Sequence, residues 1–121
     1  MATSKPRTWV WAQTEFEALH RWPDAPFEVN FLRAAHRHMF HLKVEIEVDH
    51  ADRAVEFILL KRFVTGWTMT LPEDLLSKSC EMIAEDLYPH LAAKYGYDRG
   101  YRISVSEDGE NGATLEWEAA Q

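Results

Sequence analysis

From His36 to Asp49 the chain alternates without a break. His36, His38, Phe40, Leu42, Val44, Ile46 and Val48 share one side, while Arg37, Met39, His41, Lys43, Glu45, Glu47 and Asp49 share the other. A helix would scatter these residues around its axis, whereas a strand sends successive side chains to opposite faces. An apolar row backed by a charged row describes an antiparallel strand with one face in the core and one in water. The first long segment has the same period. Val10, Ala12, Thr14, Phe16, Ala18 and His20 fall on one side, opposite Trp9, Trp11, Gln13, Glu15 and Glu17. Between the two, Pro23 and Pro26 break any regular structure in Arg21 to Ala35.

The middle of the chain changes period. Phe57, Leu60 and Val64, with Ile58 and Lys61, sit three and four apart, which predicts a short helix ending near Gly66. A second helix is predicted from about Ser79 to Tyr95. Its apolar stripe is Ile83, Leu87, Leu91 with Ala84, Tyr88 and Ala92, its cap Ser77 or Ser79, and its end Gly96. Pro89 lies inside it, so a kink or a break into two pieces is expected there. Period two then returns. Tyr101, Ile103, Val105 and Glu107 alternate with Arg102, Ser104 and Ser106, and after the turn Asp108-Gly109-Glu110-Asn111-Gly112 a last strand holds Ala113, Leu115 and Trp117. Two strands, two helices and two strands make an α+β fold: a four-stranded antiparallel sheet with two helices on one face, in ββααββ order.

With 121 residues, no internal repeat and no linker, a single domain spanning 1–121 is expected. Thirteen Lys+Arg against twenty Asp+Glu leave a formal charge of −7. That balance argues against a nucleic-acid partner, because such affinity comes from cations displacing phosphate counterions. The one cysteine, Cys80, cannot form an intrachain disulfide and asks for no oxidising compartment. No apolar run approaches the roughly 18–20 residues that cross a bilayer, and the start MATSKPRTWVW lacks a signal-peptide core. A cytoplasmic protein without a membrane partner is the expectation.

The chemistry concentrates in three of the six histidines. His36 and His38 are two apart on a strand, so their imidazoles leave the same face about 6.5–7 Å apart along the chain. A metal with nitrogen ligands at roughly 2.0–2.1 Å fits between such a pair. Alone, an H-x-H pair is a weak signal, more often two surface or hydrogen-bonded histidines than a ligand pair. His20 changes the balance, being the last inward residue of the other long strand. If the strands pair, three imidazoles converge at one end of the sheet, and three histidines with an open fourth position is the arrangement of catalytic zinc.

Several segments resemble the 6-pyruvoyl-tetrahydropterin and 6-carboxytetrahydropterin synthase family, in order along nearly the whole chain. Phe16-Glu17-Ala18-Leu19-His20-Arg21 is similar to its F-x-A-x-H-R segment, and His36-Arg37-His38-Met39-Phe40 to its H-G-H-x-[FY] strand. Val55 to Lys61 resembles the V-x-D-F-x-x-L-K opening of the first helix, and Ser79 to Ala84 the T-S-E-x-[LI]-A start of the second. Val105-Ser106-Glu107, trailed by Gly112-Ala113, resembles the V-x-E-[TS] strand end. The resemblance implies the tunnelling (T-) fold, closed into an oligomeric barrel, here expected as a homo-hexamer, with sites at subunit interfaces. It implies Zn²⁺ held by His20, His36 and His38, and Glu107 gripping a pterin or purine-like ring. Two charge-assisted hydrogen bonds to the N–H and NH₂ edge of a 2-aminopyrimidinone suit a carboxylate. The implied activity is a carbon–oxygen or carbon–carbon lyase acting on dihydroneopterin triphosphate or a related pterin, in a biopterin-like or 7-deazaguanine (queuosine) route.

The proton-transfer parts of that pattern are missing. Leu32 stands where the family has its cysteine base, Arg33 where a glutamate variant would be, and no Asp-His pair follows the first helix. Arg37 replaces the glycine between the zinc ligands. The catalytic base is therefore unassigned, with Asp24, Glu28 and Asp74 as candidates near in sequence. Cys80 reads as packing in a first helical turn, His41 as outward-facing, and His50 and His90 as solvated. Trp9, Trp11 and Trp22 read as packing before ring stacking, and Glu45, Glu47 and Asp49 as a solvated strand face. Two readings follow: a pterin-synthase-like lyase with altered base chemistry, or a non-catalytic T-fold module that binds a pterin or purine ligand.

Overall fold

The two long alternating segments pair with each other along their whole length. In the computed structural model, which describes residues 4–120, β1 (Thr8–His20) runs antiparallel to β2 (His36–Val48), with Thr8 opposite Val48 and His20 opposite His36. β3 (Tyr101–Glu107) pairs with β2, and β4 (Asn111–Trp117) with β3, giving the order β1-β2-β3-β4. The inward row of β2 (Phe40, Leu42, Val44, Ile46) and that of β3 (Tyr101, Ile103, Val105) are fully buried. Two helices supply the other side of this core. α1 (Phe57–Thr68) lies over β1 and buries Leu60, Val64 and Thr68. α2 (Cys80–Tyr95) lies over β3 and β4 and buries Ile83, Ala84, Leu87, Leu91 and Ala92. The predicted α+β class and ββααββ order are the observed ones.

Both helices depart from expectation in instructive ways. α1 passes through Gly66 to Thr68, because Leu60, Val64 and Thr68 form one buried stripe that continues beyond the glycine. Phe57 is not part of that stripe: it stands 59% exposed at the first turn, beside the capping carboxylate of Glu56, which accepts from the amides of Ile58 and Leu59. In α2, Ser79 caps the start by accepting from the Met82 amide, and Gly96, at φ 106, ends it. Pro89 does not break this helix into two. Its missing N–H orphans the carbonyl of Glu85, and both residues lie on the exposed side of the helix. The buried stripe on the opposite side holds the helix together.

Three further segments differ from the reading above. A 3-10 segment at Phe27–Arg33 occupies the stretch expected to be irregular; Val29 leaves helical geometry in its middle. Pro26 opens it, at a position where its fixed φ suits a helical turn and its missing N–H costs nothing. The β3–β4 turn is tighter than expected, since β4 already begins at Asn111. Asp108 (φ 57) and Gly109 (φ 71) form its corner, and the Glu110 amide donates to the Glu107 carbonyl at 3.0 Å. Positive φ at both central residues is the requirement of a type I′ turn, which Asp-Gly meets. Finally, residues 73–76 run along the outer edge of β1. Leu19 N donates to Glu73 O, Leu75 N to Leu19 O and Arg21 N to Leu76 O, each at 2.8 Å. An ion pair of Arg21 with Asp74 fastens the same place, so the edge of β1 is covered beside His20.

Phe40 links this core to what lies at its end. It is fully buried, stacks on Phe16 at 5.4 Å between ring centres, and meets the edges of His20 and His38 at 5.1 and 6.0 Å. Truncation to Ala leaves a cavity that the sheet cannot close. Phe40→Ala is expected to lose about 3–5 kcal/mol in urea unfolding, and an unchanged midpoint would show that this end of the core is not packed as described.

Candidate metal centre

His20 ends β1 and His36 opens β2, and the ladder sets them directly across from each other. His38 follows two residues on, on the same face. The three rings pack edge to face, with centres 4.5 Å (His20–His36), 5.4 Å (His20–His38) and 4.9 Å (His36–His38) apart. One nitrogen from each lies within 4.8 Å of the others, a group able to hold a metal ion.

The remaining ring nitrogens show which atoms are free to bind. His20 Nδ1 lies 2.8 Å from the Lys78 carbonyl, His36 Nδ1 2.9 Å from the Ala34 carbonyl, and His38 Nδ1 2.7 Å from Asp108 Oδ2. All three partners are acceptors only, so each Nδ1 carries the hydrogen and donates. Each Nε2 is then the nitrogen left with a lone pair. Backing a ligand histidine with a carbonyl or carboxylate is how proteins fix its tautomer and ring orientation. His20 and His38 also bury Nε2 without any hydrogen bond. Buried polar atoms rarely go unpartnered unless something not drawn from the chain satisfies them. Donor type and orphaned lone pairs therefore both fit a cation.

Asp108 is the member of this site that sequence reading misses. Its carboxylate accepts from His38 and, through Oδ1, from the Met39 amide at 3.0 Å, while its own amide donates to the Met39 carbonyl at 2.7 Å. The His38 bond first, and the Met39 amide second, hold its carboxyl below the ordinary aspartate range. The visible signal was only Asp-Gly, a turn pair. The Lys78 and Ala34 carbonyls leave no side-chain signature at all.

A cleft of about 400 Å³ opens over the histidines, and His20, His36, Trp22, Lys78, Met82 and Glu107 are among its walls. Glu107 does not stand apart from the imidazoles. Its Oε1 is 3.4 Å from His20 Nε2 and its Oε2 3.1 Å from His38 Nε2. Leu32 lines the cleft at the family's base position, and its alkyl chain cannot move a proton. Arg33 instead turns to the Ala25 carbonyl, 2.8 Å away, and Arg37 lies on the outward face between Glu17 and Glu73. Asp24, Glu28 and Asp74 are not among the lining residues. Asp74 is engaged with the Leu76 amide and Arg21, which hold its carboxyl below the usual range. Cys80 does reach the cleft, but burial first, then the nearby Glu107 and Glu81 charges, push its thiol up to about 12. His41 faces outward toward Glu15, His90 lies against Trp67, and His50 is exposed, so none joins the cluster.

Two outcomes are expected from this geometry. Purified protein should carry close to one metal per chain by elemental analysis, and the pair His36→Ala with His38→Ala should abolish it; unchanged content would remove the site. Cys80 should alkylate slowly in the native protein at pH 8 and fast in denaturant. The sign for stability follows from the raised value. The folded thiol keeps its proton to about 12 against 9.0 when exposed, so its contribution is complete below pH 9.0 and is lost as pH climbs through that window. Rapid native alkylation would mean an accessible, ionised thiol.

No protein-family model matches the sequence, and no curated protein matches it either. Among solved structures, 6-pyruvoyl tetrahydropterin synthase of Plasmodium falciparum superimposes with a TM-score of 0.73 at 14% identity, covering 94% of this chain and 99% of that one. A catalytic-residue mutant of the Plasmodium vivax 6-pyruvoyltetrahydropterin synthase gives 0.71 at 12% identity, with the same coverage of both chains. The likeness lies in the path of the backbone over nearly all of both chains, and on it the chain has the tunnelling fold of the 6-pyruvoyl-tetrahydropterin synthases.

Proposed function

We propose that His20, His36 and His38 hold a zinc ion and that the chain is a pterin-synthase-like lyase, acting on dihydroneopterin triphosphate or a related pterin. The observation that carries this reading is the cluster of three imidazoles, each engaged through Nδ1 with Nε2 left free, two of which, His20 and His36, line a ligand-sized cleft. A volume of about 400 Å³ falls in the range of small-molecule sites. Neutral imidazoles suit a borderline ion such as zinc. Zinc bound there supplies Lewis-acid polarisation of a substrate hydroxyl or carbonyl. The protein's own share is positioning. Trp22, Leu32 and Met82 offer apolar walls to a planar ring, and Glu107 offers two acceptor oxygens to a 2-aminopyrimidinone edge.

A second reading, a T-fold module that binds a pterin or purine-like ligand without turnover, draws on a specific observation. The family's base position holds Leu32, which cannot move a proton, and the Cys80 thiol beside it stays protonated at neutral pH. Metal-loaded protein incubated with dihydroneopterin triphosphate and followed by mass spectrometry separates the two. Product that disappears in the His36→Ala/His38→Ala variant supports the lyase. Calorimetric binding of neopterin without product supports the module, and neither binding nor product removes both. In either case guanine-like and pterin-like rings should bind, while adenine-like rings, lacking the donor pair, should not.

The reading also includes a closed homo-hexamer working in the cytoplasm. Its support is the open edge of β4 and the aromatic Trp11, 53% exposed on the outward sheet face under the Lys43 ammonium. No helix among the described residues is long and apolar enough to cross a membrane. Light scattering should give a mass several times the 14.1 kDa of one chain; a monomer at micromolar concentration would remove the assembly.

A further inference from the structure

We infer that Glu107 is the fourth ligand of the metal whenever the cleft holds no ring, so that the ion rests in a closed three-histidine, one-carboxylate shell. The inference deepens the reading above and rests on its three-histidine site. Glu107 is the last residue of β3 and pairs across the ladder with Phe40, on the inward face that also carries His38. From there its two oxygens reach His38 Nε2 at 3.1 Å and His20 Nε2 at 3.4 Å. Those nitrogens are the atoms left with lone pairs once every Nδ1 has donated its hydrogen. A carboxylate has only lone pairs to offer as well. Acceptor therefore faces acceptor in a buried place, and neither nitrogen makes a hydrogen bond. Such an arrangement is stable only with a positive centre between the groups.

The spacing suits a metal ion as that centre. Donor atoms bound at roughly 2.0–2.2 Å on a tetrahedron stand about 3.3–3.6 Å from one another; the Oε1–His20 distance of 3.4 Å is of that size, and the Oε2–His38 distance of 3.1 Å is slightly shorter. The neighbour of Glu107 keeps it there. Asp108 is fastened to Met39 through its amide, and its carboxylate to both the Met39 amide and His38, so the hairpin corner cannot drift from the histidines. One carboxylate then serves two uses that exclude each other. To hold a 2-aminopyrimidinone edge, Glu107 must turn away from the ion, and turning away opens the coordination position that a substrate oxygen would take. Ring recognition and opening of the metal become one event.

Cobalt-loaded protein, whose visible absorption reports coordination, tests this without any turnover. Azide should leave the wild-type spectrum unchanged, because no exchangeable position is free, and should shift that of Glu107→Gln. Chelator competition should show Glu107→Gln weakened by more than about 100-fold. Asp108→Asn keeps an oxygen for the Met39 amide and alters the backing of His38, so it should stay within the roughly 10–100-fold typical of an outer-shell partner. A wild-type spectrum that responds to azide overturns the inference even if the variant fails to fold, and so does equal metal affinity of wild type and Glu107→Gln. In both of those outcomes cobalt still binds, and the three-histidine site survives. Failure of the wild type to take up cobalt overturns that site and this inference together.

Discussion

The antiparallel ladder between β1 and β2 is the constraint on which the rest depends. It brings His20 opposite His36, buries Phe40 under the imidazoles, and leaves Arg37 and Met39 on the outer side. Because side chains alternate with a strict period of two, sliding one strand by a single residue would send every inward group to the solvent face. The apolar row from Phe40 to Val48 resists that slip, since all five of those inward residues are buried. The core therefore holds the histidines in place, and the donor cluster need not stabilise the sheet that carries it.

Much of this could be read from residues alone, and the exceptions share a cause. The four strands and their inward faces follow from local alternation, which one-dimensional order preserves, and the convergence of three histidines needs in addition only that the two long strands pair. Elements that depend on what covers them do not. Pro89 sits within an unbroken helix because its exposed side faces water, and α1 outruns Gly66 because Thr68 finds a buried slot. The strip at 73–76 has no periodicity to betray it, being held beside β1 mainly by backbone groups, with one ion pair of Asp74. Glu107 was legible as a candidate, but its place against the imidazoles was not. That proximity depends on the tightness of the hairpin after it, which Asp-Gly suggests and only the paired strands determine.

The electrostatics of the cleft favour holding over proton transfer. Two histidines are backed by neutral carbonyls and one by a carboxylate, so the donor set carries a single outer negative charge, on Asp108, besides that of Glu107 itself. Cys80, the nearest group with nucleophilic chemistry, is kept neutral by burial and by the Glu107 and Glu81 charges. A site arranged to neutralise a cation raises the proton affinity of the thiol beside it.

Gly112 gives the hairpin a consequence of a different kind. It sits opposite Ser106, and a Cβ placed there would lie 2.2 Å from the Val105 carbonyl oxygen and 2.6 Å from Ser106 Cα. Both are backbone atoms, which cannot rotate aside as a side chain would. The two strands are thus pinched together immediately beside Glu107, in a wall of the cleft. Even one methyl group at this position would act as a wedge, prising β4 from β3 and swinging the neighbouring carboxylate without touching it. The separation of two strands, set by the smallest residue in the chain, works as the mechanical adjustment of a site built from much larger ones.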